Sequence, residues 1–97
     1  MVVNIYLIED EKNTRKRLYQ YIKQITKEYT PVNVHSCSCA NEFLQLIQEQ
    51  RADIVLCDIE MPGMNGIELG SLVKKENPEV CLVYLTAYPQ YAADSYT

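Results

Sequence analysis

Two kinds of segment are missing from this chain of 97 residues, and their absence excludes whole classes of protein. No apolar run approaches the roughly 20 residues that a helix needs to cross a bilayer. The first apolar run, 2–8, is short and is followed at once by acids, so we expect no signal peptide. Without a membrane span or an export signal, the chain is expected to work in the cytoplasm.

The chain has four cysteines but no CxxC pair, which argues against a redox motif or a zinc-ribbon framework. We therefore expect free thiols. His35, Cys37 and Cys39 alternate, and on a strand they share one face. Because a fourth ligand is missing nearby and the chain has no other histidine, we interpret them as side chains of a strand rather than as a metal site.

Positive charge is scarce outside one segment. The net charge of -4 argues against non-specific binding of nucleic acid by this domain. Six of the nine basic residues lie within sixteen positions. They are Lys12, Arg15, Lys16, Arg17, Lys23 and Lys27. The hydrophobic content of 47% and the absence of linkers or repeats are typical of one compact globular domain.

Short, nearly unbroken apolar runs predict strands that are covered on both faces, as in parallel sheets. They span residues 2–8, 54–57 and 80–85, and a more polar run, 32–38, predicts a strand at a sheet edge. Segments of helical period lie between these runs. The first has an apolar stripe that is predicted to face the core, and it must end before Pro31. The stripe consists of Leu18, Ile22, Ile25 and Tyr29.

Later segments complete the alternation of strands and helices. Phe43, Leu44 and Ile47 mark a second helix. Asn65 and Glu68 form a capping box for a third, which two lysines and an Asn-Pro pair end. A fourth helix is predicted to begin at Pro89. The order βαβαβαβα with right-handed crossovers predicts an α/β fold with a doubly wound parallel sheet.

Acidic residues follow two of the predicted strands. Glu9 and Asp10 follow the first, and Asp58 follows the third. If these strands are neighbours, the three carboxylates converge, and a pair at 4 Å repels by roughly 4 kcal/mol at an effective dielectric of about 20. Mg²⁺ prefers such oxygen ligands and offsets the repulsion. The alternative is that the acids merely begin polar loops and a helix; it is equally good for the first pair and weaker for Asp58.

These acids belong to a larger pattern. It includes DIEMP at 58–62, GIEL at 66–69 and LTAY at 85–88. The combination resembles the receiver domain of response regulators in two-component signalling, and 85–92 resembles receivers attached to LytTR-type DNA-binding domains. The resemblance implies a flavodoxin-like receiver fold with strand order 2-1-3-4 and no fifth βα unit. Residues 1–97 are then one receiver domain that is incomplete at its C-terminus.

The resemblance also implies roles for individual residues. Asp58 is the implied phosphoacceptor, a carboxylate nucleophile that forms an aspartyl phosphate. Glu9 and Asp10 hold Mg²⁺ together with Asp58 and the backbone carbonyl of Glu60. Most receivers have two aspartates at the first pair, so Glu9 is one methylene longer than the usual residue.

Residues beyond the third and fourth strands complete the implied site. Thr86 donates its hydroxyl to a phosphoryl oxygen and acts as the switch, and Ala87 leaves the phosphoryl group accessible because it is small. Pro62 and Gly66 shape the loop after the acceptor, a role that turn residues have in any protein.

One residue of the family pattern has no counterpart. Receivers carry a lysine at the end of the fifth strand, and no Lys or Arg follows Lys75 here. The chain is therefore either a fragment of a working regulator or a degenerate receiver that acts as a phosphorylation-independent interaction module. The intact acids favour the fragment.

The implied function is regulatory rather than enzymatic, apart from assistance to the domain's own phosphorylation and dephosphorylation. A sensor histidine kinase donates the phosphoryl group, and an output domain, which binds DNA in transcription regulation, responds. Two other classes fit the residues less well, a haloacid dehalogenase phosphatase and a flavodoxin-like cofactor binder. The first normally has an aspartate where Glu60 stands, and the acids after the first strand repel the phosphate of the second.

Two further expectations concern surfaces. Lys12, Arg15 and Lys16 on the first helix are predicted to steer an acidic partner, although a solvated helix face explains them equally well. The fourth strand, 80–85, is apolar and holds no charge or proline, so as an open sheet edge it is predicted to make this chain self-associate.

Overall fold

A computed structural model describes residues 2–29, 31–59 and 63–85, in which strands and helices alternate. The elements are β1 (Val3–Ile8), α1 (Lys12–Thr26), β2 (Val32–Cys37), α2 (Ala40–Leu46), β3 (Ile54–Asp58), α3 (Gly66–Glu76) and β4 (Cys81–Leu85). The helix predicted from Pro89 lies outside the described residues. Among the helices in the described ranges, none is long and apolar enough to cross a membrane.

The four strands form one parallel sheet in the order β2-β1-β3-β4, which confirms the predicted fold class. β2 lies at an edge, as its more polar sequence predicts. β1 and β3 lie side by side in the middle, with Ile8 paired to Cys57 at their carboxyl ends. Backbone pairing extends one step past β1, because the Glu9 N–H donates to the Cys37 carbonyl at 3.1 Å. The loops that follow β1 and β3 therefore leave the sheet at neighbouring points.

The face of the sheet under α2 and α3 holds the larger core. Its fully buried side chains include Tyr6, Phe43 and Leu69. The rings of Tyr6 and Phe43 meet edge to face with centroids 5.3 Å apart. α3 approaches the sheet so closely at Gly70 that an added Cβ would collide with the hydroxyl of Tyr84. Close packing on this face therefore depends on a residue without a side chain.

The opposite face is covered by α1 and holds a smaller core. Ile5, Leu7 and Ile22 are buried there. The predicted stripe on α1 was wrong at its C-terminal end, since Ile25 is 52% exposed and Tyr29 is 74% exposed. Periodicity determines on which side of a helix a residue lies, but it does not determine whether another element packs against that side. Tyr29 also lies beyond the last residue of α1, Thr26.

The remaining local predictions have clear outcomes. The Asn65 side chain accepts a hydrogen bond from the Glu68 N–H at 2.9 Å, which confirms the cap of α3. His35 stacks on Tyr6 with ring centroids 4.6 Å apart, and Cys37 is fully buried. Cys39 lies outside β2 and precedes α2. His35 and Cys37 are thus side chains of a strand, as interpreted, but the interpretation was wrong for Cys39, which is the N-cap residue of α2.

Candidate functional site

The pairing of β1 with β3 brings three carboxylates together. Ile8 and Cys57 are partners in the sheet, so Glu9 and Asp10 follow one strand beside the end of the other, Asp58. One carboxylate oxygen from each of the three acids lies within 4.8 Å of the other two. Within the described ranges, this is the one group of three or more metal-ligating side chains that is close enough to hold an ion. The predicted convergence is confirmed.

The three acids differ in their exposure to water. Glu9 is only 8% exposed, Asp58 is half-buried and Asp10 is exposed. Burial raises the pKa of Glu9 to about 7, although the Glu11 N–H, which donates to its carboxylate at 3.1 Å, acts in the opposite direction. Hydrogen bonds with Asp10 and Asp58 and the charge of Asp58 are further causes of this rise. Near neutral pH, the carboxyl group of Glu9 is therefore partly protonated unless a bound cation displaces the proton.

Hydrogen bonds from α1 hold the loop between β1 and α1. The Glu11 carboxylate caps the helix by accepting from the N–H groups of Asn13 at 3.1 Å and Thr14 at 2.6 Å. The Arg15 guanidinium donates to the Glu9 carbonyl at 3.0 Å and lies 3.3 Å from the Asp10 carbonyl. Sequence reasoning missed this contact, because it treated Arg15 as one of several solvent-facing bases.

The N-terminus of α3 supports the backbone of Asp58. A Cβ added at Gly66 would collide with the carbonyl group of Asp58 and with the Cα atom of Ile59. The Gly66 N–H also donates to the Ile59 carbonyl at 2.8 Å. Gly66 was predicted to shape a turn, but it begins α3 and allows a close backbone contact. Its place directly after the predicted N-cap, Asn65, was the available signal in the sequence.

The residue before Asp58 separates the site from the larger core. Cys57 is fully buried, and burial raises the pKa of its thiol to about 12, with smaller contributions from the charges of Asp58 and Glu9. The thiol is therefore neutral and acts as a small apolar group. All four cysteines are free, as predicted from the absence of paired motifs.

The described part of the site fits a hard divalent cation. Its three side chains offer only oxygen donors, and Asp10 is open to water, so an ion there keeps part of its hydration shell. Burial is the main cause of the raised pKa of Glu9, and the neighbouring Asp10 and Asp58 raise it as well, so a cation at this position would compensate a buried negative charge. Glu60, Thr86 and Ala87, the other predicted site residues, lie outside the described residues, as does Pro62, and their roles stay predictions.

Comparison with known proteins gives a consistent result. Residues 5–95 match the family model of the response regulator receiver domain. An uncharacterized response regulatory protein of Yersinia pestis is 34% identical over 92 residues, which are 94% of this chain and 37% of that protein. The sensory transduction protein LytT of Oceanobacillus iheyensis is 29% identical over 98 residues, which cover 99% of this chain and 39% of that protein. The chain thus spans less than two-fifths of the length of these relatives.

Similarity extends to solved structures. The crystal structure of the response regulator protein TrrA from Thermotoga maritima, in complex with Mg²⁺ and BeF, superimposes with a TM-score of 0.82. The two sequences are 27% identical, and the match covers 95% of this chain and 76% of that chain. A regulatory protein crystallised with magnesium therefore shares both the fold and a detectable part of the sequence.

Proposed function

The chain belongs to the response regulator receiver domain family, and on this premise we propose that Asp58 is the phosphoacceptor of a two-component switch. The observation that carries the proposal is the convergence of Asp58 with Glu9 and Asp10 at the carboxyl ends of neighbouring strands. Asp58 ends β3 directly after the fully buried Cys57, and it is itself only half-buried, so its carboxylate is reachable from water.

The proposed reaction is transfer of a phosphoryl group to a carboxylate. An oxygen of Asp58 forms a bond to phosphorus, and the bond between phosphorus and the donor's histidine nitrogen breaks. The nitrogen keeps the electron pair and takes a proton from water, so the donor is left as neutral histidine. Asp58 acts as the nucleophile, while Glu9 and Asp10 stay unmodified beside it.

Magnesium is the proposed cofactor, held by Glu9, Asp10 and Asp58. When bound, it neutralises the charge that the carboxylates and the phosphoryl oxygens bring together. The backbone of Glu60 is proposed as a further ligand, and Thr86 and Ala87 as the residues that contact and admit the phosphoryl group. Their support is the resemblance of 58–62 and 85–88 to receivers.

The acceptor is tested by intact-protein mass spectrometry after incubation with acetyl phosphate and MgCl₂. The chain is expected to gain one phosphoryl group, and Asp58→Asn to gain none. Asp53→Asn is the matched control, because Asp53 precedes the opposite end of the same strand and accepts from the Asn4 N–H at 2.8 Å, a bond that asparagine keeps. Incorporation at the wild-type rate in Asp58→Asn contradicts the assignment. No incorporation into any variant, with acetyl phosphate or a kinase, favours the phosphorylation-independent interaction module.

A sensor histidine kinase is the proposed donor, and the cytoplasm the proposed compartment. Lys12, Lys16 and Arg17 are exposed on α1, and they carry positive charge in a domain of net charge -4. Such a patch accelerates encounter with an acidic partner at low salt. The reversal Lys12→Glu with Lys16→Glu is expected to slow phosphotransfer at low ionic strength and not at high. An unchanged rate at low ionic strength supports a solvated helix face.

The proposed output is DNA binding in transcription regulation. The support is the resemblance of 85–92 to receivers attached to LytTR-type DNA-binding domains. The chain also matches 39% of the length of a sensory transduction protein LytT. The test uses the polypeptide that carries this receiver together with its output domain, with and without phosphoryl donor. Phosphorylation is expected to change the affinity for promoter DNA, and the Asp58→Asn variant is expected not to respond. Equal affinity in both states contradicts this part of the proposal.

Self-association of the 97-residue chain is also proposed. β4 is the last strand of the sheet in the described residues, and its side chains are exposed at Cys81 and half-buried at the four later positions. Apolar edge strands pair with other chains unless a charge or proline prevents it. Sedimentation is expected to show a dimer at a concentration on the order of tens of micromolar, and Cys81→Lys to reduce it. Gln20→Lys adds the same charge on exposed α1 and serves as the control; a monomeric wild type contradicts the proposal.

A further inference from the structure

Arg15 differs from the other bases at the start of α1. Its guanidinium points back along the helix and donates to the Glu9 carbonyl at 3.0 Å, with the Asp10 carbonyl at 3.3 Å. Its side chain is half-buried, whereas Lys12 and Lys16 are exposed. A side chain that is engaged with two backbone carbonyls has a local role in this loop, in addition to the steering of a partner that was predicted for it.

We propose that Arg15 is a positioning residue, which holds the backbone of Glu9 and Asp10 so that their carboxylates stay turned toward Asp58 and ready to bind a divalent cation. The inference rests on the proposed function, because it assigns Arg15 a part in the same site. Arg15 itself touches no substrate, and it acts through the two acids that it restrains.

The other contacts of the loop show why a further restraint matters. The Glu9 N–H is paired with the Cys37 carbonyl, and the Glu11 carboxylate is fixed on the first N–H groups of α1. These bonds anchor the two ends of the loop, while Arg15 holds the carbonyls between them. Hydrogen bonds from a charged donor are roughly twice as strong as neutral ones. Three crowded carboxylates repel each other, so a loop without this restraint relaxes by moving them apart.

Arg15 could affect Mg²⁺ binding by holding the ligands in place or by repelling the ion with its charge. The two effects predict opposite changes in Mg²⁺ affinity when Arg15 is replaced. A guanidinium close to a cation site repels the ion, so removing its charge strengthens Mg²⁺ binding if electrostatics alone act. If Arg15 holds the ligands in place, the same substitution weakens binding in spite of the relieved repulsion. The sign of the change therefore separates the two effects.

The experiment is a titration of the 97-residue chain with MgCl₂, followed by ¹H–¹⁵N NMR at the amides of Glu9, Asp10 and Asp58. Arg15→Gln is expected to raise the Mg²⁺ dissociation constant about tenfold, the lower end of the effect of residues that orient metal ligands. Arg15→Lys, which keeps a charged donor, is expected to recover part of the affinity. Lys16→Gln loses the same charge from the adjacent exposed position and is expected to bind Mg²⁺ at least as tightly as the wild type.

Three measurements keep the test decisive. The melting temperature in EDTA shows whether each variant folds, and Arg15→Met, which keeps an unbranched stem, replaces Arg15→Gln if that variant does not. At saturating Mg²⁺, phosphorylation of Arg15→Gln by acetyl phosphate is expected to return to within about twofold of the wild-type rate, because the ion restores the ligand geometry. A defect that persists there, or Mg²⁺ binding that is unchanged or tighter in Arg15→Gln, overturns the inference. If the wild type itself binds no Mg²⁺, the proposed function fails instead.

Discussion

The two faces of the sheet are packed to different degrees. Under α2 and α3, the side chains of Tyr6, Phe43 and Leu69 are completely buried, and a glycine allows α3 to approach the sheet. Under α1, most of the apolar side chains that contact the core are only partly buried. Tyr21 and Ile25, also on α1, are 62% and 52% exposed. One face is thus a closed core, and the other is partly open in the described residues.

The carboxylate of Asp58, the proposed acceptor, belongs to the more open face. Side chains alternate along β3, so Asp58 is on the same side as Leu56, which packs under α1, and Cys57 is on the side of α2 and α3. The closed face nevertheless supports the backbone of the site, because Gly66 on α3 packs closely against the Asp58 carbonyl group. The dense face thus supports the backbone of Asp58, while the open face leaves its side chain partly exposed to water, where the proposed ion and phosphodonor would reach it.

Truncating one apolar side chain on each face gives the largest expected contrast. Phe43→Ala removes a fully buried ring and is expected to lower the free energy of unfolding by about 4 kcal/mol. Ile25→Ala on α1 is expected to change it by less than about 0.5 kcal/mol, because that side chain is half in water. Urea denaturation measures both. Similar losses at the two positions would show that the faces are equally packed.

A methyl group at Gly66 tests whether α3 supports the backbone of Asp58. Gly66→Ala places a Cβ on the Asp58 carbonyl, which is backbone and cannot rotate away, so we expect a loss of about 2 kcal/mol in stability. The shift of Asp58 is also expected to slow phosphorylation by acetyl phosphate. Ser71→Ala, on the exposed side of the same helix, is the control and should change stability by less than about 0.5 kcal/mol. Normal phosphorylation of Gly66→Ala would mean that α3 does not position the acceptor.

Magnesium bound at the carboxylates on the open face is expected to raise the free energy of unfolding. The unfolded chain cannot bring Glu9, Asp10 and Asp58 together, so the ion binds the folded state only. At ten times its dissociation constant it is expected to add about 1.4 kcal/mol to the free energy of unfolding. Differential scanning calorimetry with MgCl₂ or EDTA measures the effect, and Asp58→Asn should reduce it. If the melting temperature of the wild type is the same in MgCl₂ and in EDTA, the proposed metal site is contradicted.

A dependence of stability on pH is also expected, and it comes from Glu9. Its pKa is about 7 in the folded chain, against an ordinary value of 4.5 for a solvated glutamate, so the folded state binds more protons between these values. The contribution of Glu9 to stability is therefore fully present below pH 4.5 and is lost as the pH rises through 7. Glu9→Gln should flatten this part of the profile, and Mg²⁺ should oppose the loss in the wild type. If the urea midpoints of the wild type and of Glu9→Gln depend on pH in the same way, the pH dependence comes from a group other than Glu9.

Much of the fold could be predicted from local patterns. Apolar runs predicted the strands to within one residue of their observed ends, with 80–85 observed as Cys81–Leu85. The cap at Asn65 was also predicted, because capping depends on a side chain and an N–H group three residues apart. The meeting of Glu9 and Asp58 followed only on the condition that β1 and β3 are neighbours, which the sheet order confirms. Patterns of this kind report on interactions within a few residues.

The sequence by itself therefore determined the order of the elements and the acids that end the strands, because strand and helix periods and caps are local properties. Only the tertiary structure decided which of these groups act together. The contact of Arg15 with the acidic loop, the need for glycine at position 66 and the burial that raises the Glu9 pKa all depend on atoms from different elements. The exposure of Ile25 has the same origin, since a helix period cannot show where the neighbouring layer ends.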